Sequence, residues 1–195
     1  MGTHPTGIEM ENAVRLDTYS NAAHVRGPVV LRIAWISVSR MFFQTHFPYP
    51  SSWKRTLLRG FGARIGRGVI VKPSVTIKYP WKLFIGEHSW IGEGVWIDNL
   101  VDVHIGAHCC ISQGAMLVCG NHDYTRTGFD LIQVPIRLEQ GVWIGARATL
   151  GPGSVCGQHS VLALGSTFAG QMDAWTIYRG NPAVPVTTRR LQASE

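Results

Sequence analysis

Residues 144–169 read IGARATLGPGSVCGQHSVLALGSTFA, with an apolar residue at every sixth position: Ile144, Leu150, Cys156, Leu162 and Phe168. The same interval runs upstream through Ile65, Val71 and Ile77, then Ile85, Ile91 and Ile97, then Ile105, Ile111 and Leu117. Glycine or alanine often follows, as at Gly66, Gly86, Gly106, Gly145, Gly157 and Ala163, and a small or β-branched residue stands two places before, as at Ala63, Val69, Ala115 and Ser154. Neither a helix nor an ordinary strand has this period. A short strand followed by a turn does. Its apolar residue points inward, and the small residues let the chain bend at the corner. Three such units close one triangular coil, and coils stack at about the strand spacing of ~4.8 Å. The intervals from Ile77 to Ile85 and from Ile97 to Ile105 are eight residues long, which predicts bulges stacked along one edge.

The totals agree with one domain and a small extension. The chain has 195 residues, 45% of them apolar and 15% charged, with 22 glycines and a net charge of +6. Between Lys54 and Lys82 every charged residue is basic. Such a stretch reads either as a solvated surface or as a face that meets anions, phosphates or an acidic membrane surface. No basic-aromatic motif accompanies it, so nucleic acid is not an expected partner. Cys109, Cys110, Cys119 and Cys156 lack metal-like spacing and read as small buried hydrophobes in a reducing compartment. The first residues lack the features of a signal peptide, and no apolar run approaches the ~20 residues of a membrane span. A cytoplasmic protein is expected.

The chain divides into an extension at 1–60 with one amphipathic helix (28–46), a prism at 61–176 and a tail at 177–195. The helix reads as a cap on the first coil, a contact with a neighbouring subunit, or a surface dipping into the inner face of a membrane.

The repeat stops for the stretch CGNHDYTRTGFDLIQVP, residues 119–135, within an inserted loop at 120–139. A loop this long inside a tight repeat points to function or disorder. Its mixed charges and aromatics favour order, and His122 leaves the last short strand at its start.

Hexapeptide repeats of this form resemble the left-handed β-helix acyltransferases. The implied fold is an all-β, left-handed parallel β-helix with an N-terminal helical extension. The segments GNHDYT, FDL, PI, VWIGARATLGPG and GNPA resemble sugar O-acetyltransferases of that family, and YPWKLFIG (79–86) brings the resemblance nearest to the colanic acid biosynthesis type. The resemblance implies that His122 is the general base, removing a proton from a sugar hydroxyl that attacks acetyl-CoA without a covalent enzyme intermediate. An imidazole ordinarily titrates near ~6.5, which suits that task. It further implies a homotrimer with sites between subunits, and an oxyanion donor near Gly145 and Ala146.

Other roles follow less directly. Asp98 and Asn99 stand near the carboxylate that such enzymes set against acceptor hydroxyls. Asn121 adjoins the base, while Tyr124 and Phe129 either stack on a sugar or pin the loop. Trp143 matches a tryptophan beside the CoA channel, and Gly145, Ala146 and Gly165 would face the pantetheine arm. The basic residues usual in the last coil and after GNPA are replaced by Gly170 and Val184, which leaves Arg179, Arg189 or Arg190 for the CoA phosphates. His88 and His108, twenty residues apart, should stack at one exposed corner. Carbonic anhydrases of this fold pair ligand histidines five apart, whereas His104 and His108 are four apart, so no metal is expected. The acceptor expected is a saccharide unit of an exopolysaccharide, on a nucleotide or lipid carrier. Two alternatives remain open: a non-catalytic scaffold, or an acetyltransferase for an antibiotic or an amino sugar.

Overall fold

The computed structural model describes residues 13–22 and 24–192. The readings made on the first residues of the chain therefore lie outside the described residues.

Three parallel sheets form the faces of a prism. One runs through Ile65, Ile85, Ile105, Leu138, Cys156 and Met172 in register. The second runs through Val71, Ile91, Ile111, Ile144, Leu162 and Tyr178. The third runs through Ile77, Ile97, Leu117, Leu150 and Phe168. Nearly all of these side chains are buried, Ile91, Ile97, Ile111, Leu117, Ile144 and Leu150 completely. Each contributes about 1.5–3 kcal/mol by leaving water, and each gains it only when the neighbouring coil is present.

The bend lies elsewhere than the sequence suggests. The left-handed backbone conformation falls three residues after the inward aliphatic, at Ser74, His88, His108, Arg147 and His159. The small residue directly after the aliphatic serves close approach. A Cβ on Gly86 would lie 2.4 Å from the Ala107 nitrogen, and one on Gly145 2.5 Å from that of Leu164. His88 and His108 stack as expected, their ring centroids 5.5 Å apart.

Backbone hydrogen bonds join successive coils in both directions: at the corners His88 N–H donates to Arg67 O and His108 N–H to Glu87 O, while at the strand ends the earlier coil donates. Gly66 N–H donates to Ile85 O, Gly86 N–H to Ile105 O and Gly106 N–H to Leu138 O. The outer edge of the first coil has no coil beneath it, and its N–H groups and carbonyls need other partners: Val71 N–H donates to Ser51 Oγ and Ser74 N–H to Thr45 O. Two helices supply the missing donors: α1 (Val29–Phe42) and α2 (Ser51–Gly60). Trp35 Nε1 donates to Ile77 O at 2.8 Å, Lys54 Nζ to Lys72 O at 2.8 Å, Arg55 to Val69 O at 2.8 Å, and Arg59 to Ile65 O at 2.7 Å. Further along, Lys82 donates to the carbonyls of Val25 and Leu100. Much of the basic stretch is thus occupied with backbone carbonyls, and the reading of it as one anion-facing surface does not hold for these residues.

Three boundaries differ from expectation. Among the described residues the extension contains two α-helices instead of one. α2 escapes notice because Lys54 shares its inward face with Leu58, and a lysine there hides the apolar stripe. The inserted loop ends earlier than 139: Ile136–Leu138 already lies on Val103–Ile105, so Leu138 is the first repeat residue after it. The segment from 177 is no tail, since Thr176–Gly180 is a strand of the second face and pairs antiparallel with Ala183–Thr188. Among the described residues no helix is long and apolar enough to cross a membrane.

Two measurements test this account. Lys54→Met keeps the apolar stem but leaves the Lys72 carbonyl without its donor. It should lose about 1–3 kcal/mol of stability in urea unfolding; an unchanged midpoint would mean that water satisfies the carbonyl equally well. Burial pushes the thiols of Cys119 and Cys156 up to about 12 and that of Cys109 up to about 11. A disulfide reagent at pH 8 should therefore modify no thiol beyond the half-buried Cys110 in the native protein. Rapid reaction of two or more would mean that the coils open.

Candidate active site

The chain leaves the prism at Cys119, whose side chain is buried, and runs into a hairpin. Gly120–His122 pairs antiparallel with Leu131–Gln133, with His122 opposite Leu131. Val134 N–H returns to Cys119 O at 3.0 Å, closing the base of the hairpin. At the tip, Asp123 accepts hydrogen bonds from the backbone N–H and hydroxyl of Thr125, and that hydroxyl bond holds its carboxyl below the usual range. The N-terminal segment lies along the hairpin: Arg15 N–H donates to Thr127 O and Ser20 N–H to the Asp130 carboxylate.

His122 is fixed from three sides. Asn121 Oδ1 accepts its backbone N–H at 2.8 Å. The Phe129 ring stacks on the imidazole, with centroids 4.4 Å apart and planes 5° from parallel. His122 Nδ1 lies 2.9 Å from the Phe129 carbonyl oxygen. A carbonyl only accepts, so in the neutral ring Nδ1 carries the proton and Nε2 presents its lone pair. Phe129 reaches this position with φ at +51°, in the left-handed region where a bulky residue is strained. Tyr19 also approaches the imidazole, its ring centroid 5.7 Å from that of His122.

His122 opens on a cavity of about 500 Å³ also lined by Asp98, Asn121, Tyr19, His24, Arg26, Arg32 and Lys78. Asp98 Oδ1 is shielded from solvent and meets Lys78 Nζ at 2.9 Å, an ion-pair contact without an aligned hydrogen bond. Lys78 and Asp98 follow Ile77 and Ile97, which are register partners on successive coils, so the twenty-residue coil length already carries this pairing.

Asn99 does not belong to the site. It is completely buried, its Oδ1 accepts from the backbone N–H groups of Lys78 and Tyr79, and its Nδ2 donates to Tyr79 O. The amide replaces ladder bonds where the eight-residue interval interrupts them. Tyr124 is also outside the cavity lining, at the hairpin tip and 76% exposed.

A second cavity of about 500 Å³ brings together Trp143, Gly145, Ala146, Arg179 and Arg189, with Ser112, Ala163, Leu164 and Ile177 as further walls. Trp143 Nε1 donates to Ser112 Oγ at 2.9 Å, which sets the indole along the groove. The Arg189 guanidinium donates to the carbonyls of Gly141 and His159, leaving Arg179 as the freer cation. Gly165 is not in the lining; it turns the coil with φ at +65° and donates its N–H to Ala146 O. The Ala146 N–H makes no hydrogen bond among the described residues. The two cavities share no lining residue. Among the described residues no group of His, Cys, Asp and Glu is arranged to hold a metal ion.

Sequence reasoning missed Tyr19, His24, Arg26 and Arg32, which lie outside the repeat and carry no periodic signal. It also missed the Phe129 carbonyl as the group that orients His122, because backbone direction in a loop leaves no mark in residue identity. The assigned tautomer is open to direct measurement. Long-range ¹⁵N–¹H spectra of the neutral ring should show a protonated Nδ1 and a bare Nε2 for His122; the opposite pattern would dissociate the ring from Phe129.

The chain is 34% identical to the colanic acid biosynthesis acetyltransferase WcaF named in Escherichia coli (strain K12), over 175 residues that span 89% of this chain and 96% of that protein. Among solved structures, a hexapeptide-repeat-containing acetyltransferase from Vibrio cholerae superimposes with a TM-score of 0.75 at 24% identity, covering 83% of this chain and 92% of that one. Its counterpart from Vibrio cholerae O1 biovar eltor, complexed with acetyl coenzyme A, gives a TM-score of 0.74 at 23% identity, over 83% and 88% of the chains. No family model matches the sequence. The likeness in structure extends to the fold, the left-handed β-helix that the family resemblance implied. With 34% identity along nearly the whole of both chains, the chain belongs to the colanic acid biosynthesis acetyltransferase family of hexapeptide-repeat proteins.

Proposed function

We propose that this chain transfers the acetyl group of acetyl-CoA to a hydroxyl of a saccharide, an exopolysaccharide precursor, with His122 as general base. One observation carries the reading: a histidine whose Nδ1 is committed to the Phe129 carbonyl, and whose Nε2 is thereby left as a base, lines a cavity with the carboxylate of Asp98. A scaffold would have no need of a strained Phe129 to hold one tautomer.

The chemistry is direct. The hydroxyl gives its proton to His122 Nε2 as its oxygen forms a C–O bond to the thioester carbonyl. The C–S bond breaks, and the thiolate takes the proton to leave as CoA. Asp98, paired with Lys78, would accept a second acceptor hydroxyl and orient the sugar. The Ala146 N–H is a suitable donor for the developing oxyanion. The groove of Trp143, Gly145, Ala146, Ala163 and Leu164 is narrow and apolar enough for a pantetheine arm, and Arg179 would meet its phosphates.

His122 and Ala146 line different cavities, so the reading calls for a homotrimer, in which the groove of one prism meets the hairpin of the next. Its expected place is the cytoplasm, in peripheral contact with the inner face of the membrane. Val29, Val30, Ile33 and Met41 on the outer side of α1 are all exposed and would supply that contact.

A general base typically contributes ~10²–10⁴-fold. His122→Ala should lose activity on that scale, while its oligomeric size and its thermal stabilisation by acetyl-CoA persist. Normal turnover by this variant would remove His122 from the chemistry, and wild-type protein that gains no stability from acetyl-CoA would revive the scaffold reading.

A further inference from the structure

The His122 cavity has an uneven charge. Three of its lining residues are cationic by nature, Arg26, Arg32 and Lys78, against the single carboxylate of Asp98. Asp98 is taken by Lys78. Neither Arg26 nor Arg32 has a carboxylate partner among the described residues. Arg32 Nε is sealed from solvent and donates to nothing, an arrangement that costs free energy as long as no acceptor arrives. Its neighbour His24 bridges Gln133 Oε1 and the Tyr79 hydroxyl. Burial lowers the pKa of His24, opposed by its bond to Gln133 and reinforced by the positive field of Lys82, Arg26 and Lys78.

We propose that the acceptor is an anionic sugar, bearing a phosphate or a carboxylate that Arg26 and Arg32 hold while a hydroxyl meets His122. The proposal rests on the reading of this cavity as the acceptor site. Guanidinium groups bind either oxyanion through paired N–H donors, and such charge-assisted bonds are stronger than neutral ones. Sugar phosphates and nucleoside diphosphate sugars carry the first group, uronic acids the second. The arginines come from α1 and the segment before it, so the extension that caps the prism would also select the substrate.

Calorimetric titration of the full chain with glucose 1-phosphate, UDP-glucose, glucuronate and neutral methyl glucoside tests this. At least one anionic sugar should bind about tenfold or more tightly than methyl glucoside, with the phosphate and carboxylate arms telling the two sources apart. Arg32→Gln and Arg26→Gln should each lose most of that preference, whereas Lys72→Ala, an exposed cation outside the cavity, should keep it. Equal affinity for neutral and anionic sugars, no binding by any anionic sugar, or a preference unchanged in both arginine variants overturns the proposal. His122→Ala should retain the anion preference. Anion-selective binding that depends on Arg32 in a protein that transfers no acetyl group would refute the acetyl-transfer reading, and with it the acceptor role, while leaving an anionic-sugar site at the two arginines.

Discussion

A stack of parallel coils has a direction. Each coil exchanges backbone hydrogen bonds with the next, so the first coil must end in an edge of carbonyls and N–H groups with no coil below it. Most of the N-terminal third of this chain follows from that constraint. The carbonyls of that edge call for donors, and the longest, most adaptable donors are lysine and arginine. Hence α2 turns Lys54, Arg55 and Arg59 toward the prism while α1 adds the indole of Trp35. The burial of Lys54 lowers its pKa, a cost accepted because an unmet carbonyl in the same place would be worse. At the opposite end the antiparallel pairing of Thr176–Gly180 with Ala183–Thr188 closes the second face.

The same ladder explains why a hairpin can interrupt it without loss. Met116–Val118 is seated between Trp96–Asp98 and Thr149–Leu150, and Ile136–Leu138 falls back onto Val103–Ile105. Both edges of the interruption are held in register, so the loop only has to close on itself, at an entropic cost that grows slowly with length. His122 lies close to the exit from the rigid prism, where backbone precision is greatest. Its hydrogen-bond partner lies across the hairpin at Phe129.

Periodicity revealed the prism, its three faces and the histidine corner, because each inward position obeys one rule and a single exception breaks the stack. The same rule assigned Cys156 to the core, where it is completely buried. Where a residue answers to the backbone of another coil, its identity misleads. Asn99 resembles a ligand in sequence yet is a buried replacement for ladder bonds. Lys54 resembles a surface cation yet is a cap. Arg32 resembles an interruption of an apolar helix, and only the fold brings it beside Asp98 and His122. Gly165 was placed with the groove because it is small, but its size serves a positive-φ turn.

The distribution of parts over the prism bears on how the site is completed. His122 and its hairpin leave after a strand of the third face, whereas Trp143 belongs to the second and Ala146 to the turn that follows it. Faces of a triangular prism diverge, so no movement of one chain brings the two cavities together without breaking the ladder. Two prisms placed side by side meet the requirement easily, the second face of one against the hairpin corner of the other. Such a contact is heterologous, since different surfaces meet, and heterologous contacts either close into a ring or run on as a filament. The proposed function calls for closure, at three. Under the proposed chemistry, assembly is then a condition of activity, and the arginines of the extension, held by the same cap that finishes the first coil, meet the acceptor only where a neighbour brings the donor.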